Sequence, residues 1–291
     1  MAPAPSANPI WKMPPKLGIL AGGGELPWRL ISACKESGRE FFVIAFNNQA
    51  DPQLLFAAGG ENMPHAWVRL GAAGKTLDLL KKAGVGDLVL VGSIKRPTLG
   101  QLMPDLWATK FLAKTGAASL GDDGILKALI KALEGEGFNL LGIDDLLPDM
   151  LTPQGVFGAC QPSANDRTDI KAALAAALDI GAQDIGQGAV ARNGVVIATE
   201  SAAGTDAMLA ALDPLVGGER SGVLVKVAKP GQEKRADLPT IGVDTVSAAA
   251  AAGLSGIAVQ AGGSLVVALD QVVAAADAGG LFVIGIDPAV P

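Results

Sequence analysis

Short apolar runs alternate with stretches of helical periodicity through the first half of the chain. LGILA at 17–21, FFVIAF at 41–46 and DLVLV at 87–91 are nearly continuous apolar runs of strand length. They are too short for buried helices and too uniform for strands with one wet face. Between and after them, 28–37, 74–83, 105–115 and 121–134 repeat apolar positions three and four residues apart, as amphipathic helices do. A shorter strand is expected at 67–70, and 138–142 closes the sheet. This rhythm predicts a Rossmann-like parallel sheet covered by helices on both faces. Such sheets bind ligands beyond the carboxyl ends of their strands.

The pattern changes near 144–156, where two prolines fall in a polar stretch. The expected domains are 16–147, Rossmann-like, and 148–291, a distinct carboxyl-terminal mixed α/β domain. Residues 1–15, rich in Pro and Ala, read as a flexible lead-in or an added extension. In the second half a helix is expected at about 166–179, with others at 205–212 and 244–252. β-prone runs occur at 188–199, 222–228, 256–259, 266–270 and 281–287. VVALDQVVAAADAGG, from 266, fits either a strand entering a helix or a strand and loop. No repeat of fixed period occurs. The fold class is thus α/β with two dissimilar domains.

Composition narrows the function. Apolar residues make up 49% of 291 and mean hydropathy is +0.37, enough for a sizeable core. Lys and Arg number 23 against 29 Asp and Glu, a net charge of −6 with no basic block. That argues against a nucleic-acid partner and leaves room for a local phosphate pocket. Cys34 and Cys160 provide no disulfide framework, and Cys34 fits a buried reduced thiol on an amphipathic helix. The single histidine, His65, rules out a histidine metal cluster, and nothing near it suggests a Ser-His-Asp site. No window has the length and continuity of a membrane helix; the Ala-rich stretch at 245–261 is interrupted by Gly253 and Gly256. A soluble cytoplasmic protein is expected, with peripheral membrane contact allowed.

Five segments could carry chemistry. AGGGELP at 21–27 puts Gly22, Gly23 and Gly24 before a helix, as a phosphate loop or a structural turn. It lacks the dinucleotide spacing, and the second strand ends at Phe46, Asn47 and Asn48 without an acid for a ribose. GSIKRP at 92–97 places Lys95 and Arg96 at a strand end, either for a diphosphate or merely solvated. Asp122 and Asp123 precede an apolar helix as caps or as ligands of a hard cation. Thr205 and Asp206 stand at another helix start, with capping the general role and a ligand contact the specific one. The fifth, VLVKVAKPGQEKRADLPTIG at 223–242, concentrates charge in an otherwise apolar chain. Lys226 comes off a strand, Lys229 precedes a Pro-Gly turn, and Gln232, Lys234, Arg235 and Asp237 follow. It reads as a charged surface loop, or as a loop that fixes an anion and holds a carboxylate over it. A carboxylate beside such cations is expected to stay ionised, which suits metal binding or water positioning.

Taken in order, these segments resemble the UDP-2,3-diacylglucosamine pyrophosphatase family of the LpxI type, from bacterial lipid A biosynthesis. The resemblance runs from Lys16 onward. VKVAKPGQEKRADLPTIG at 225–242 is its most specific part, and AGGGELP, GSIKRP and GTDAML at 204–209 agree with it. The resemblance implies hydrolysis of UDP-2,3-diacylglucosamine to UMP and 2,3-diacylglucosamine 1-phosphate (lipid X), with water attacking the α-phosphorus. It also implies a divalent cation, expected to be Mg2+, and a ligand held between the two domains at the cytoplasmic face of the inner membrane.

Carried onto this sequence, the resemblance makes Asp237 the metal-organising or water-activating residue, with Asp206 and Lys226 as further catalytic candidates. Gly22, Gly23, Gly24, Lys95, Arg96, Thr205, Lys229, Gln232 and Arg235 become substrate-binding candidates. Asp237, Asp206, Asp122 and Asp123 become candidate metal ligands. The chain departs from the family pattern at Ala203, where an acid is expected before GTD, and at Glu233, where KPGQE replaces KPxQD. Glu200, four residues before Gly204, could share the missing acid's role. A homodimer is a general expectation for a small cytoplasmic enzyme. Three alternatives stand beside this reading: a nicotinamide-dependent oxidoreductase, a non-catalytic nucleotide-sugar or lipid-binding module, and another nucleoside-diphosphate-sugar hydrolase.

Overall fold

The structure, a computed structural model, describes residues 14–60, 62–95, 102–116, 121–213 and 220–290. Most of the expected lead-in and Arg96 lie outside these residues. The chain divides into two compact units, Met1–Ala108 with Glu136–Leu140, and Thr109–Gly135 with Leu141–Pro291.

The first unit is built on a five-stranded sheet in the order β3-β2-β1-β4-β5. Its strands are β1 (Leu17–Ala21), β2 (Phe41–Phe46), β3 (His65–Val68), β4 (Asp87–Val91) and β5 (Asn139–Leu140). Every pairing is parallel, as the continuous apolar runs predict. Helices α1 (Leu26–Ser37), α2 (Pro52–Gly59) and α3 (Ala73–Lys82) connect them. α1 carries Pro27 in its first turn, is capped by Gly38 in the left-handed region, and buries Leu30, Ile31 and Cys34. α2 is not marked by apolar periodicity; it is fixed by Asp51, whose side chain accepts from the Gln53 amide, with Pro52 at its first position. β3 lies two residues earlier than expected and ends at Val68, because the Arg69 carbonyl already turns the chain by accepting from the Ala72 amide. The strand order reverses between β1 and β4, so the turns after these strands occupy the topological switch point.

Helix α4 (Leu106–Thr115) spans the division, and α5 (Asp122–Gly135) belongs to the second unit. The second unit has a mixed six-stranded sheet in the order β6-β13-β11-β9-β7-β8. These are β6 (Gly155–Val156), β7 (Gly188–Arg192), β8 (Val195–Thr199), β9 (Val223–Lys226), β11 (Gly256–Gln260) and β13 (Phe282–Ile286). β9, β11 and β13 run parallel, while β6, β7 and β8 pair antiparallel. A small parallel pair, β10 (Thr240–Ile241) and β12 (Leu265–Val266), stands apart from the main sheet.

The remaining α-helices among the described residues are α6 (Ile143–Leu146), α7 (Ala164–Ala182), α8 (Gly204–Ala210), α9 (Val243–Ala251) and α10 (Leu269–Gly279). Alternation along β9 divides the core. Val223 and Val225 pack with Ile170, Ala173 and Leu174 of α7, and Leu224 packs with Val246 of α9 and Val272 of α10. The β-prone run at 188–199 is a hairpin, folded at Asn193 and Gly194, both with positive φ, as a two-residue turn requires. The ambiguous stretch from 266 resolves as the end of β12 followed by α10.

Candidate active site

β9 delivers Lys226 into the protein. The residue is buried, its Nζ donates to the Thr240 carbonyl at 3.2 Å, and it has no carboxylate at ion-pair distance among the described residues. The chain beyond it folds on itself. Gly231, at φ 71, turns it after Pro230, the Gln232 amide donates to the Lys229 carbonyl, and the Ala236 and Asp237 amides donate to the Glu233 carbonyl. Glycine adopts such a φ most readily, so the Pro-Gly pair sets the turn.

Asp237 stands at the end of this turn. Gln232 Nε2 donates to Asp237 Oδ2 at 2.9 Å, while Gln232 Oε1 accepts the Lys229 amide at 2.8 Å. The second carboxylate oxygen has no hydrogen-bond donor among the described residues. Burial pushes the Asp237 carboxyl above the usual carboxylate range, against the pull of Lys226, Lys229 and the Gln232 bond, and the nearby Glu200 charge adds to the rise. The cations alone predict the opposite direction; loss of hydration outweighs them.

Glu200, just past β8, is buried and fully used. Its Oε1 accepts from the Thr205 hydroxyl at 2.9 Å and its Oε2 from the Gln187 amide at 3.1 Å. It thereby ties the start of α8 to the start of β7. Thr205 is thus buried and partnered within the protein. The sequence offered one hint, the missing acid at Ala203, but no spacing rule that would bring Glu200 to Asp237.

Two further cations of the segment, Lys229 and Arg235, are partnered by carboxylates. Lys229 Nζ lies 2.6 Å from Asp184 Oδ1. Arg235 grips both oxygens of Glu233, with Nε and Nη2 each at 2.9 Å, and reaches Glu134 of α5 with Nη1 at 2.7 Å. The Arg235 bonds hold the Glu233 carboxyl below its usual range, and the two glutamates in turn raise the guanidinium. Asp123 Oδ1 accepts the Glu233 amide at 2.8 Å, and its Oδ2 pairs with Lys127 at 2.6 Å.

Asp123 therefore anchors the loop. Asp206 is exposed in the first turn of α8, without a hydrogen-bond or ion-pair partner among the described residues. Asp122 begins α5, and its side chain lies outside the described residues. No group of three or more His, Cys, Asp or Glu side chains suited to one metal occurs among the described residues, which include the side chains of Asp237, Asp206 and Asp123 but not that of Asp122.

In the first unit, the glycine turn has a clear steric reason. Gly23 and Ser93 exchange backbone hydrogen bonds at 2.8 and 2.9 Å, and a Cβ on Gly22 would lie 2.4 Å from the Ser93 carbonyl oxygen. Gly24 has φ 85. These residues let the turns after β1 and β4 touch. Lys95 is exposed, and the Gln49 side chain holds its backbone by bonds of 2.7 and 3.0 Å.

Comparison with known proteins also divides the chain in two, at a boundary near residues 150–153 rather than that of the compact units. The family models for the LpxI N-terminal domain and the LpxI C-terminal domain match residues 16–150 and 153–284. The UDP-2,3-diacylglucosamine pyrophosphatase LpxI of Caulobacter vibrioides is 44% identical over 280 residues, 94% of this chain and 98% of that one. Among solved structures, a CobK precorrin-6A reductase aligns over 95% of this chain and 90% of its own at 15% identity, with a TM-score of 0.31. That score is too low to bear on fold or function. The two family matches and the full-length relative place this chain in the LpxI family.

Proposed function

We propose that the protein hydrolyses the phosphoanhydride of UDP-2,3-diacylglucosamine, releasing UMP and lipid X. The observation that carries this is the 44% identity to a pyrophosphatase of that name, across both domains. The geometry of the second unit suits the chemistry. Lys226 donates one hydrogen bond within the described protein, so an ammonium with three donors keeps capacity for phosphoryl oxygens. Those oxygens gain charge as the anhydride bond breaks, and a buried cation stabilises that charge most where water is excluded. Asp237, made more basic by burial and holding one oxygen free, is suited to orient a water and accept its proton. The water oxygen then bonds to phosphorus, and the bridging P–O bond breaks with its electrons leaving on the phosphate product.

Magnesium fits this site in a limited way. Mg2+ commonly takes one or two carboxylates and fills its shell with water and substrate phosphate. Asp237, with a free oxygen, is the residue that would hold it, while Glu200, whose oxygens serve Thr205 and Gln187, would add only its nearby charge. A bound ion would neutralise charge on the phosphate oxygens. The substrate's acyl chains keep it in a lipid surface, so we also propose that the enzyme works at the cytoplasmic face of the inner membrane. No helix among the described residues is long and apolar enough to cross a membrane.

Phosphorus NMR of a reaction run in 18O-labelled water tests the reading. The expected products are UMP and lipid X in equal amounts. Label in UMP marks attack at the α-phosphorus, and label in lipid X marks attack at the β-phosphorus. Absence of both products, with and without magnesium, contradicts the proposal. Equal turnover of unacylated UDP-sugars favours a general nucleoside-diphosphate-sugar hydrolase.

A further inference from the structure

Lys229 is held by a carboxylate that belongs to none of the sequence segments singled out above. Asp184 follows α7 and adopts φ 56, a left-handed conformation that Asp and Asn tolerate better than other residues with a side chain. Its amide donates to the Gly181 carbonyl at 3.0 Å, which fixes the turn. Its Oδ1 lies 2.6 Å from Lys229 Nζ, and its Oδ2 accepts the Asp123 amide at 3.3 Å. The approach depends on Gly121, where a Cβ would come within 2.0 Å of Oδ2. The Lys229 side chain is only 11% exposed, so the pair is largely shielded from solvent on that side.

The contacts continue from this pair to Asp237. The Lys229 backbone amide donates to Gln232 Oε1, which decides which end of the Gln232 amide faces the other way. Gln232 Nε2 is then the end that donates to Asp237 Oδ2. One side of the Asp237 carboxylate is thereby fixed, and its other oxygen is left free. Asp184 thus holds the Lys229 ammonium, the backbone of the same lysine holds Gln232, and Gln232 holds Asp237.

We propose that Asp184 is a positioning residue for Asp237, acting through Lys229 and Gln232. The proposal rests on the reading of Asp237 as the group that orients water. It differs from a purely structural role, in which Asp184 would matter only for joining α7 to the first turn of α5. Asp184→Asn separates the two. Asparagine keeps an oxygen for the Asp123 amide and tolerates the left-handed backbone, while its NH2 end then faces the Lys229 ammonium, so the change removes both the charge and the acceptor that hold Lys229 and leaves the turn in place.

The test is a double-mutant cycle in the full-length protein, with UMP release as the rate. Asp184→Asn is expected to lower kcat about 10-fold while KM stays within about 2-fold, because misplacement of a reacting group costs rate more than ground-state binding. Added to Lys229→Met, it is expected to change nothing further. Equal losses in both backgrounds, or no loss in either, would overturn the proposal.

A second measurement needs no activity. In the 15N spectrum of the substrate-free protein, the Gln232 side-chain amide should shift toward a free-glutamine position and exchange faster in Asp184→Asn. A Gln232 signal that does not move overturns the linkage, even where Lys229→Met leaves no measurable rate. Failure of the wild-type protein to release UMP would instead remove the functional reading, leaving the amide signal to decide whether the chain of contacts exists.

Discussion

Arg235 separates two views of the basic segment, and Arg235→Lys is the perturbation that distinguishes them. As a substrate ligand, Arg235 would face phosphate. In the structure its guanidinium is taken up by two bonds to Glu233 and one to Glu134. Lysine offers a point charge and cannot reproduce the two-pronged grip. A hydrogen bond to a charged partner contributes about 1.5–3 kcal/mol when sheltered. The Arg235 side chain is 36% exposed, and screening at that exposure brings each lost bond down to about 0.5–1 kcal/mol. With two bonds lost, Arg235→Lys should destabilise by about 1–2 kcal/mol, which for a domain of this size lowers Tm by roughly 2–8 °C.

The pH dependence of that loss has a definite sign. Arg235 holds the Glu233 carboxyl below its ordinary value, so this stabilisation is complete above the unfolded glutamate pKa and disappears as pH falls through the lower folded value. The gap in Tm between wild type and variant should therefore be full at neutral pH and close in acid. The same proteins assayed for UMP release should show KM for the UDP substrate within about 2-fold of each other, since the lost bonds are internal. Glu134→Gln should reproduce part of the Tm loss. An Arg235→Lys protein with unchanged Tm and a KM raised 10-fold or more would refute the clamp and return Arg235 to the substrate.

Other consequences are open to direct measurement. Asp237 has its folded pKa raised by burial, so its ionisation costs stability as pH rises through that value. Asp237→Asn, which keeps an acceptor for Gln232, should melt no lower than wild type at neutral pH, with any gain vanishing in acid. Gly285 faces the Pro153 carbonyl so closely that a Cβ would lie 1.8 Å from its oxygen. Gly285→Ala should cost about 2 kcal/mol or more in denaturant unfolding, as overpacking does. Cys34 is buried and its thiol is pushed up by that burial, whereas Cys160 is half-exposed. Mass spectrometry after brief alkylation should find Cys160 modified well before Cys34.

The parts of the fold legible in the sequence are those that announce themselves locally. β1, β2 and β4 are continuous apolar runs, and buried parallel strands have that composition. α2 escaped apolar periodicity because it is an eight-residue helix defined by a cap and a proline. β6, β10 and β12 have two residues each and so carry no period to detect. The hairpin at 188–199 did carry a signal, the Asn193-Gly194 pair, which a count of β-prone residues passes over.

The site divides in the same way. Lys226, Gln232 and Asp237 share one short segment, and their association follows from its turn. Asp184 and Glu200 come from 45 residues before Lys229 and from the far end of a hairpin, and only the folded sheet brings them in. Lys229 and Arg235 look alike in sequence as cations for phosphate. Whether a cation faces substrate or a protein carboxylate depends on long-range packing, which residue type does not encode.

The most direct test of the central claim is the rate of UMP release from UDP-2,3-diacylglucosamine by wild type and Asp237→Asn, both with magnesium and both verified as folded by thermal melting. A carboxylate that orients water and takes its proton predicts a fall in kcat of about 10²–10⁴ in the asparagine variant, with an unaltered or higher Tm. An Asp237→Asn protein that is folded and releases UMP at the wild-type rate would contradict the account and move the chemistry away from this loop.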